Sequence, residues 1–227
     1  MVPHAGYVYS GAIAGQTFAS IDPAARVLCM GPNHTGSGKA RALFPGRSFL
    51  LPGGAVLTDR TLNGALASRA LVDWDDAAHA REHSIEVELP FLAAHNPAVL
   101  VSALCLAGLS LAECRALGRE IASVIADLSP RPLLVASSDM SHYVSADDAR
   151  RLDGLALSRI LALDPEGLYD TVREYDISMC GFVPTTVMLF AAKALGAKSA
   201  ELVRYGNSGE RSGDWHSVVG YAGVIVE

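Results

Sequence analysis

Leu133-Leu134-Val135-Ala136-Ser137-Ser138-Asp139-Met140-Ser141-His142 is the stretch whose reading decides the fold. Four apolar or small residues after Pro132 have the pattern of a buried strand, and the run then breaks into side chains that bind protons or metals but cannot fill a core. In an open α/β sheet the loops beyond the carboxyl ends of the strands converge with helix N-termini, so ligands gather there. Two other strand-like runs end the same way. Arg26 to Met30 runs into Gly31-Pro32-Asn33-His34, where Gly and Pro stop the strand and leave His34 just past it. At the start, Met1-Val2 is a stub before Pro3-His4-Ala5-Gly6-Tyr7. With the stub counted as a strand, His4, His34, His142 and Asp139 share one rim, which is the make-up of a metal or acid/base site.

At 227 residues, 50% hydrophobic and only 19% charged, the chain can bury one large core. No repeat, low-complexity run or linker divides it, so a single domain over residues 1–227 is expected. The net charge of -6 and the lack of a basic stripe argue against a nucleic-acid surface. Cys29, Cys105, Cys114 and Cys180 show no C-x-x-C spacing, which suits a reduced, cytoplasmic chain. No signal-peptide pattern opens it, and no apolar run approaches the roughly 20 residues of a membrane helix, so no membrane partner is expected.

In chain order, Ser10 to Ser20 has helical spacing and ends at Asp22-Pro23 before the strand of Val27. Phe49 to Thr58 reads as short strands or loop around Pro52-Gly53-Gly54, and a helix from Asp59 to Arg69 follows with Asp59 as N-cap. From Arg81 to Leu92, Ile85, Leu89 and Leu92 fall on one helical face and Glu82 and Glu86 on a neighbouring stripe, with Pro90 kinking or shortening the helix. Glu82, His83 and Ser84 there read equally well as a solvated face or as acid, base and donor groups behind a site. Val99 to Leu106 is a strand, and Ser110 with Glu113 has the capping-box spacing. Helices are expected over Asp147 to Leu163 and Glu166 to Glu174, and a helix apolar nearly all round over Val183 to Leu195. Just ahead of the last stands Cys180-Gly181, and a helix dipole favours a thiolate at such a place, so a lowered pKa and faster alkylation than at Cys29 or Cys105 are expected of a ligand. A core thiol is the equal alternative. Glu201 to Tyr205 and Val218 to Val226 close the chain as strands. Strands interleaved with helices give a three-layer α/β fold, a mixed and mainly parallel central sheet flanked by helices.

Pro3-His4-Ala5-Gly6-Tyr7, Gly31-Pro32-Asn33-His34, Glu82-His83-Ser84-Ile85-Glu86, Ser137 to His142 and Cys180-Gly181, in that order, resemble the signature set of the MEMO family, also labelled AmmeMemoRadiSam system protein B. The similarity extends to Tyr205-Gly206-Asn207-Ser208-Gly209 and Ser217 through Ala222, and so spans essentially the whole chain. The resemblance implies a fold like the class III extradiol dioxygenases, whose non-haem iron is held by two histidines and a carboxylate. Carried over, it makes His4 and His34 metal ligands, puts Cys180 where the carboxylate stands in those enzymes, and gives His142 the acid/base role. The resemblance puts Fe(II) first, and because a thiolate is softer than a carboxylate and also suits zinc or copper, these stand behind it. Members of that family carry several tens of residues ahead of the Pro-His-Ala-Gly motif, including a first strand, so His4 is expected to lack most of its supporting strand here.

The resulting expectation is a metal-binding, dioxygenase-like protein with a pocket lined by His4, His34, His83, Asp139, His142 and Cys180, acting by redox or oxygen-dependent chemistry on a small molecule. His142, His83 and Asp139 are the acid/base candidates. Two other classes stand beside it: a non-catalytic module that holds a peptide or a metal, and a metal-assisted hydrolase. The family label further implies association with a radical-SAM protein and an AMMECR-type protein.

Overall fold

Successive residues of β1 (Arg26–Pro32) face opposite sides of a sheet, and that alternation sets the layers of the computed structural model, which describes residues 1–69 and 72–227. Leu28 and Met30 join one core with Leu62 and Leu66 of α2 (Arg60–Ser68), Leu117, Ile121 and Ile125 of α4 (Leu111–Ala126), Ile160 of α5 (Ala146–Leu161), Leu168 of α6 (Pro165–Glu174) and Val187 of α7 (Phe182–Ala194). Val27 and Cys29 join the other, with Phe18 of α1 (Tyr7–Ala19) and Leu89 and Leu92 of α3 (Leu89–His95). The protein is thus a helix–sheet–helix sandwich.

β1 lies at the centre, parallel to β6 (Leu100–Leu106) on one side and to β7 (Leu133–Ala136) on the other. Beyond β6 come β4 (Gly54–Thr58), parallel, and β3 (Ser48–Leu51), which closes a hairpin with β4. β2 (Arg41–Leu43) pairs antiparallel with the far end of β6 and carries β5 (Asp73–Trp74) outside it. A second, antiparallel sheet runs β8 (His142–Val144), β10 (Val218–Val226), β9 (Ala200–Asn207), with the short α8 (Gly209–Ser212) before β10. The Met1-Val2 stub stitches the two sheets together. The Val2 N–H donates to the Ala136 carbonyl (3.0 Å), the Ser138 N–H to the Val2 carbonyl (2.8 Å), and the Val224 N–H to the Met1 carbonyl (3.0 Å). His4 therefore leaves the end of a parallel bridge beside β7, and the expected want of a supporting strand is met in part by these bonds.

The helix starts follow from their caps. Asp59 accepts the Leu62 N–H, Ser145 the Asp148 N–H and Asp164 the Gly167 N–H, while Ser110 and Glu113 complete both halves of a capping box. α7 is buried on every side from Val183 to Ala191, as its unbroken apolar sequence demands. Among the described residues no helix is long and apolar enough to cross a membrane.

One expectation fails. Residues 81–92 are not one helix: a 3-10 turn at Glu86–Glu88 leads into α3, and Pro90 sits in its first turn. The Glu82 carboxylate folds back to accept the N–H groups of His83 and Ser84, and so competes with helix formation at that point. Glu82 is buried, not part of a solvated face.

Candidate metal centre

The three polar turns meet at the carboxyl end of the sheet. His4 follows the stub, His34 follows β1, and Cys180 precedes Gly181, the N-cap of α7. One donor atom from each of these three lies within 4.8 Å of the others. His4 Nε2 is 3.4 Å from Cys180 Sγ. A tetrahedral ion bonded to nitrogen at about 2.0–2.1 Å and to sulfur at about 2.3 Å holds the two donors roughly 3.5 Å apart, so this separation fits an ion shared between them. His34, Glu82 and His83 form a second group of the same size, with His34 common to both. The His34 and His83 rings stack at 4.9 Å, and each meets the His4 ring edge-on, at 5.2 and 5.5 Å.

Both imidazoles are tied back through Nδ1, which turns Nε2 towards the pocket. His4 Nδ1 is 2.7 Å from Ser137 Oγ, and His34 Nδ1 is 2.9 Å from Glu82 Oε1. Burial, reinforced by the neighbouring His34 and His83 rings, pushes His4 down to about 3, so it is neutral and has a lone pair to give. The Glu82 hydrogen bond raises His34 instead. Burial works against the Glu82 carboxylate, but the His34 ring and the N–H groups of Ser84 and His34 outweigh it and hold it at about 2. A histidine whose second nitrogen is fixed by a carboxylate is the usual outer arrangement of a metal site.

Asp139 is buried, and its Oδ1 accepts the N–H of His4 (2.9 Å) and of Ala5 (3.3 Å), so it clamps the turn that presents His4. Desolvation raises it to about 6 against those hydrogen bonds. His142 opens β8 and lies outside both donor groups. Its Nδ1 is 2.8 Å from the Ser178 carbonyl, which can only accept, so a neutral His142 carries its proton on Nδ1 and leaves Nε2 as a base.

Cys180 departs from expectation in its chemistry. Burial and the Asp139 carboxylate push its thiol up to about 12 rather than down, because desolvation of a thiolate beside a carboxylate outweighs the helix dipole. Preferential alkylation of the free thiol is therefore not expected. Its Sγ accepts the Asp139 N–H at 3.3 Å, which aims it between the two turns. Gly181 makes this approach feasible. A Cβ there would collide with the Ser137 carbonyl and with Ser138, whose hydroxyl accepts the Gly181 N–H at 3.0 Å. Gly181→Ala should cost about 1–3 kcal/mol, as overpacking does, and weaken Zn(II) binding by moving Cys180 away from His4; urea unfolding and zinc titration measure the two effects, and a fully stable variant would show the contact to be slack.

Glu82, read in the sequence equally as a solvated residue or as an acid behind a site, carries His34. Two supports went unread: Ser137 carries His4, and Glu88, wholly buried in the 3-10 turn, accepts the Ser137 hydroxyl at 2.8 Å. For Glu88 a signal existed: an acid wedged between Val87 and Leu89 in an apolar run. A cavity of about 630 Å³ opens beside Cys180, walled by Asn33, Leu109, Tyr169, Arg173 and Phe182.

The model of the family described as Memo-like protein matches residues 1–225. A MEMO1 family protein of Methanopyrus kandleri is 39% identical over 99% of this chain and 81% of its own length. One from Methanococcoides burtonii is 41% identical over 100% of this chain and 85% of its own. One from Aquifex aeolicus is 38% identical over 99% and 84%. Among solved structures, an uncharacterized protein from Escherichia coli K12 shares the fold, with a TM-score of 0.61 at 14% identity over 95% of this chain and 92% of that one. With the ordered motifs, the folded site and these relatives in agreement, the chain belongs to the Memo-like protein family.

Proposed function

We propose that the protein binds one divalent ion through His4, His34 and Cys180, Fe(II) ahead of zinc or copper, and serves as a dioxygenase-like oxidoreductase on a small molecule. The observation that carries this reading is the convergence of three donor atoms within 4.8 Å, with both imidazoles held from behind. A bound ion supplies Lewis-acid polarisation and, as iron, one-electron chemistry with oxygen. The chain's own residues supply the rest. His4 and His34 present their Nε2 atoms, Asp139 keeps the His4 turn in place, and the cavity that Cys180 lines gives a small molecule room beside that donor. His142 moves the substrate proton at Nε2, and His83, stacked on His34 at the mouth, is the second proton-handling group.

The test is metal analysis of protein loaded anaerobically with Fe(II), followed by oxygen uptake with catechols. One iron per chain and catechol-dependent uptake are expected; protein that retains no iron, zinc or copper overturns the reading. His142→Ala should keep its metal and lose about 10²- to 10⁴-fold of the turnover, because a proton-transfer group is not needed to hold the ion. Loss of metal in that variant would make His142 a ligand.

A further inference from the structure

We propose that Glu88 is a positioning residue of this centre: acting through the Ser137 hydroxyl, it fixes His4 in the tautomer protonated at Nδ1 and leaves the Nε2 lone pair free for the ion. The inference rests on His4 being a ligand. Three separate segments build the relay, the His4 turn, the end of β7 and the 3-10 turn before α3. His4 Nδ1 is 2.7 Å from Ser137 Oγ, and Ser137 Oγ is 2.8 Å from Glu88 Oε1. All three side chains are buried, so no water competes for these bonds.

Counting hydrogens gives the direction. A serine hydroxyl has one proton to donate; spent on Glu88, it leaves Ser137 Oγ able only to accept, and the proton between Ser137 and His4 must belong to Nδ1. Were the relay reversed, with Glu88 donating to Ser137 and Ser137 to Nδ1, the His4 proton would sit on Nε2, facing Cys180, and the nitrogen could not coordinate. The polarity of a buried hydroxyl thus decides whether His4 can bind. Glu88 Oε2 has no hydrogen-bond partner among the described residues, so Oε1 alone acts on the relay. A glutamine with its amide oxygen in the place of Oε1 keeps that acceptor and cannot donate from it, which supplies the conservative variant. Glu82 does the same service for His34 by direct contact; Glu88 does it at one remove.

The experiment reads nitrogen-15 shifts of the histidine rings by NMR in the metal-free protein, and Zn(II) affinity by chelator competition, for wild type, Ser137→Ala, Glu88→Gln and Glu88→Leu. Wild type and Glu88→Gln should show His4 protonated at Nδ1 with bare Nε2, and their zinc affinities should agree within about threefold. Ser137→Ala and Glu88→Leu should lose the fixed tautomer and bind zinc about 10- to 100-fold more weakly. If Glu88→Leu does not fold, Ser137→Ala and Glu88→Gln carry the test alone. A wild-type His4 protonated at Nε2, or an unchanged tautomer in Ser137→Ala, overturns the proposal even where zinc still binds. Wild-type protein with the expected tautomer but no affinity for zinc overturns the metal reading instead.

Discussion

Replacing His34 by alanine should lower Zn(II) or Fe(II) affinity by about 100-fold or more while leaving the fold intact. Apparent binding energies of roughly 10–16 kcal/mol for four-ligand zinc sites allot about 3 kcal/mol to each donor, which sets the size of the loss. The fold should survive because the His34 side chain is about one-third exposed (34%) and contributes little to either core. Glu82, its partner, keeps the backbone N–H groups of residues 34, 83 and 84, so its buried carboxylate is not stranded. Equilibrium dialysis against Zn(II), with circular dichroism as the control for folding, checks both halves. Undiminished stoichiometry and affinity would remove His34 from the ligand set.

Glu88→Gln should have the largest effect on stability, and only at high pH. Burial raises the Glu88 carboxyl to about 8, against the Ser137 hydrogen bond and with the Asp139 carboxylate nearby, whereas an unfolded chain releases that proton near pH 4–5. Between those values the folded protein holds a proton that the unfolded one has lost. The contribution is therefore complete below about pH 4 and falls away as pH rises to about 8. Three to four units at about 1.4 kcal/mol each put the loss at roughly 4–6 kcal/mol. Glutamine cannot ionise and keeps the acceptor for Ser137, so the variant should match wild type near pH 4.5 and exceed it by about 4 kcal/mol near pH 9. Urea unfolding at the two pH values measures the difference; a gap that does not change with pH would mean that Glu88 is already ionised in the folded state.

The sequence made the layers legible because the long elements are periodic and capped. Ser110 with Glu113 announces α4, Asp59 announces α2, and the unbroken apolar run announces α7. β2 and β5 escaped because two or three residues cannot show a period, and their pairing depends on the neighbouring end of β6. The turns bearing His4, His34, Asp139 and Cys180 were legible from polar residues placed where strands stop. Their supports were legible only as an even choice, at Glu82, or not at all, at Glu88. Glu82 and Glu86 look alike four residues apart in sequence, yet Glu82 turns inward onto the His34 N–H and ring. Cys180 shows the converse: its place before a helix is local and readable, but the burial that reverses its acidity, reinforced by the Asp139 carboxylate from 41 residues away, is set by the tertiary fold.

The central claim is that one sulfur and two imidazoles share an ion. X-ray absorption at the zinc edge of protein loaded with one equivalent of Zn(II) tests it most directly. The account predicts one sulfur neighbour at about 2.3 Å and nitrogen neighbours at about 2.0–2.1 Å with the outer-shell scattering of two imidazoles, the sulfur vanishing in Cys180→Ser. A shell of nitrogen and oxygen alone in the wild-type protein would contradict it, and would move the ion to His34, Glu82 and His83.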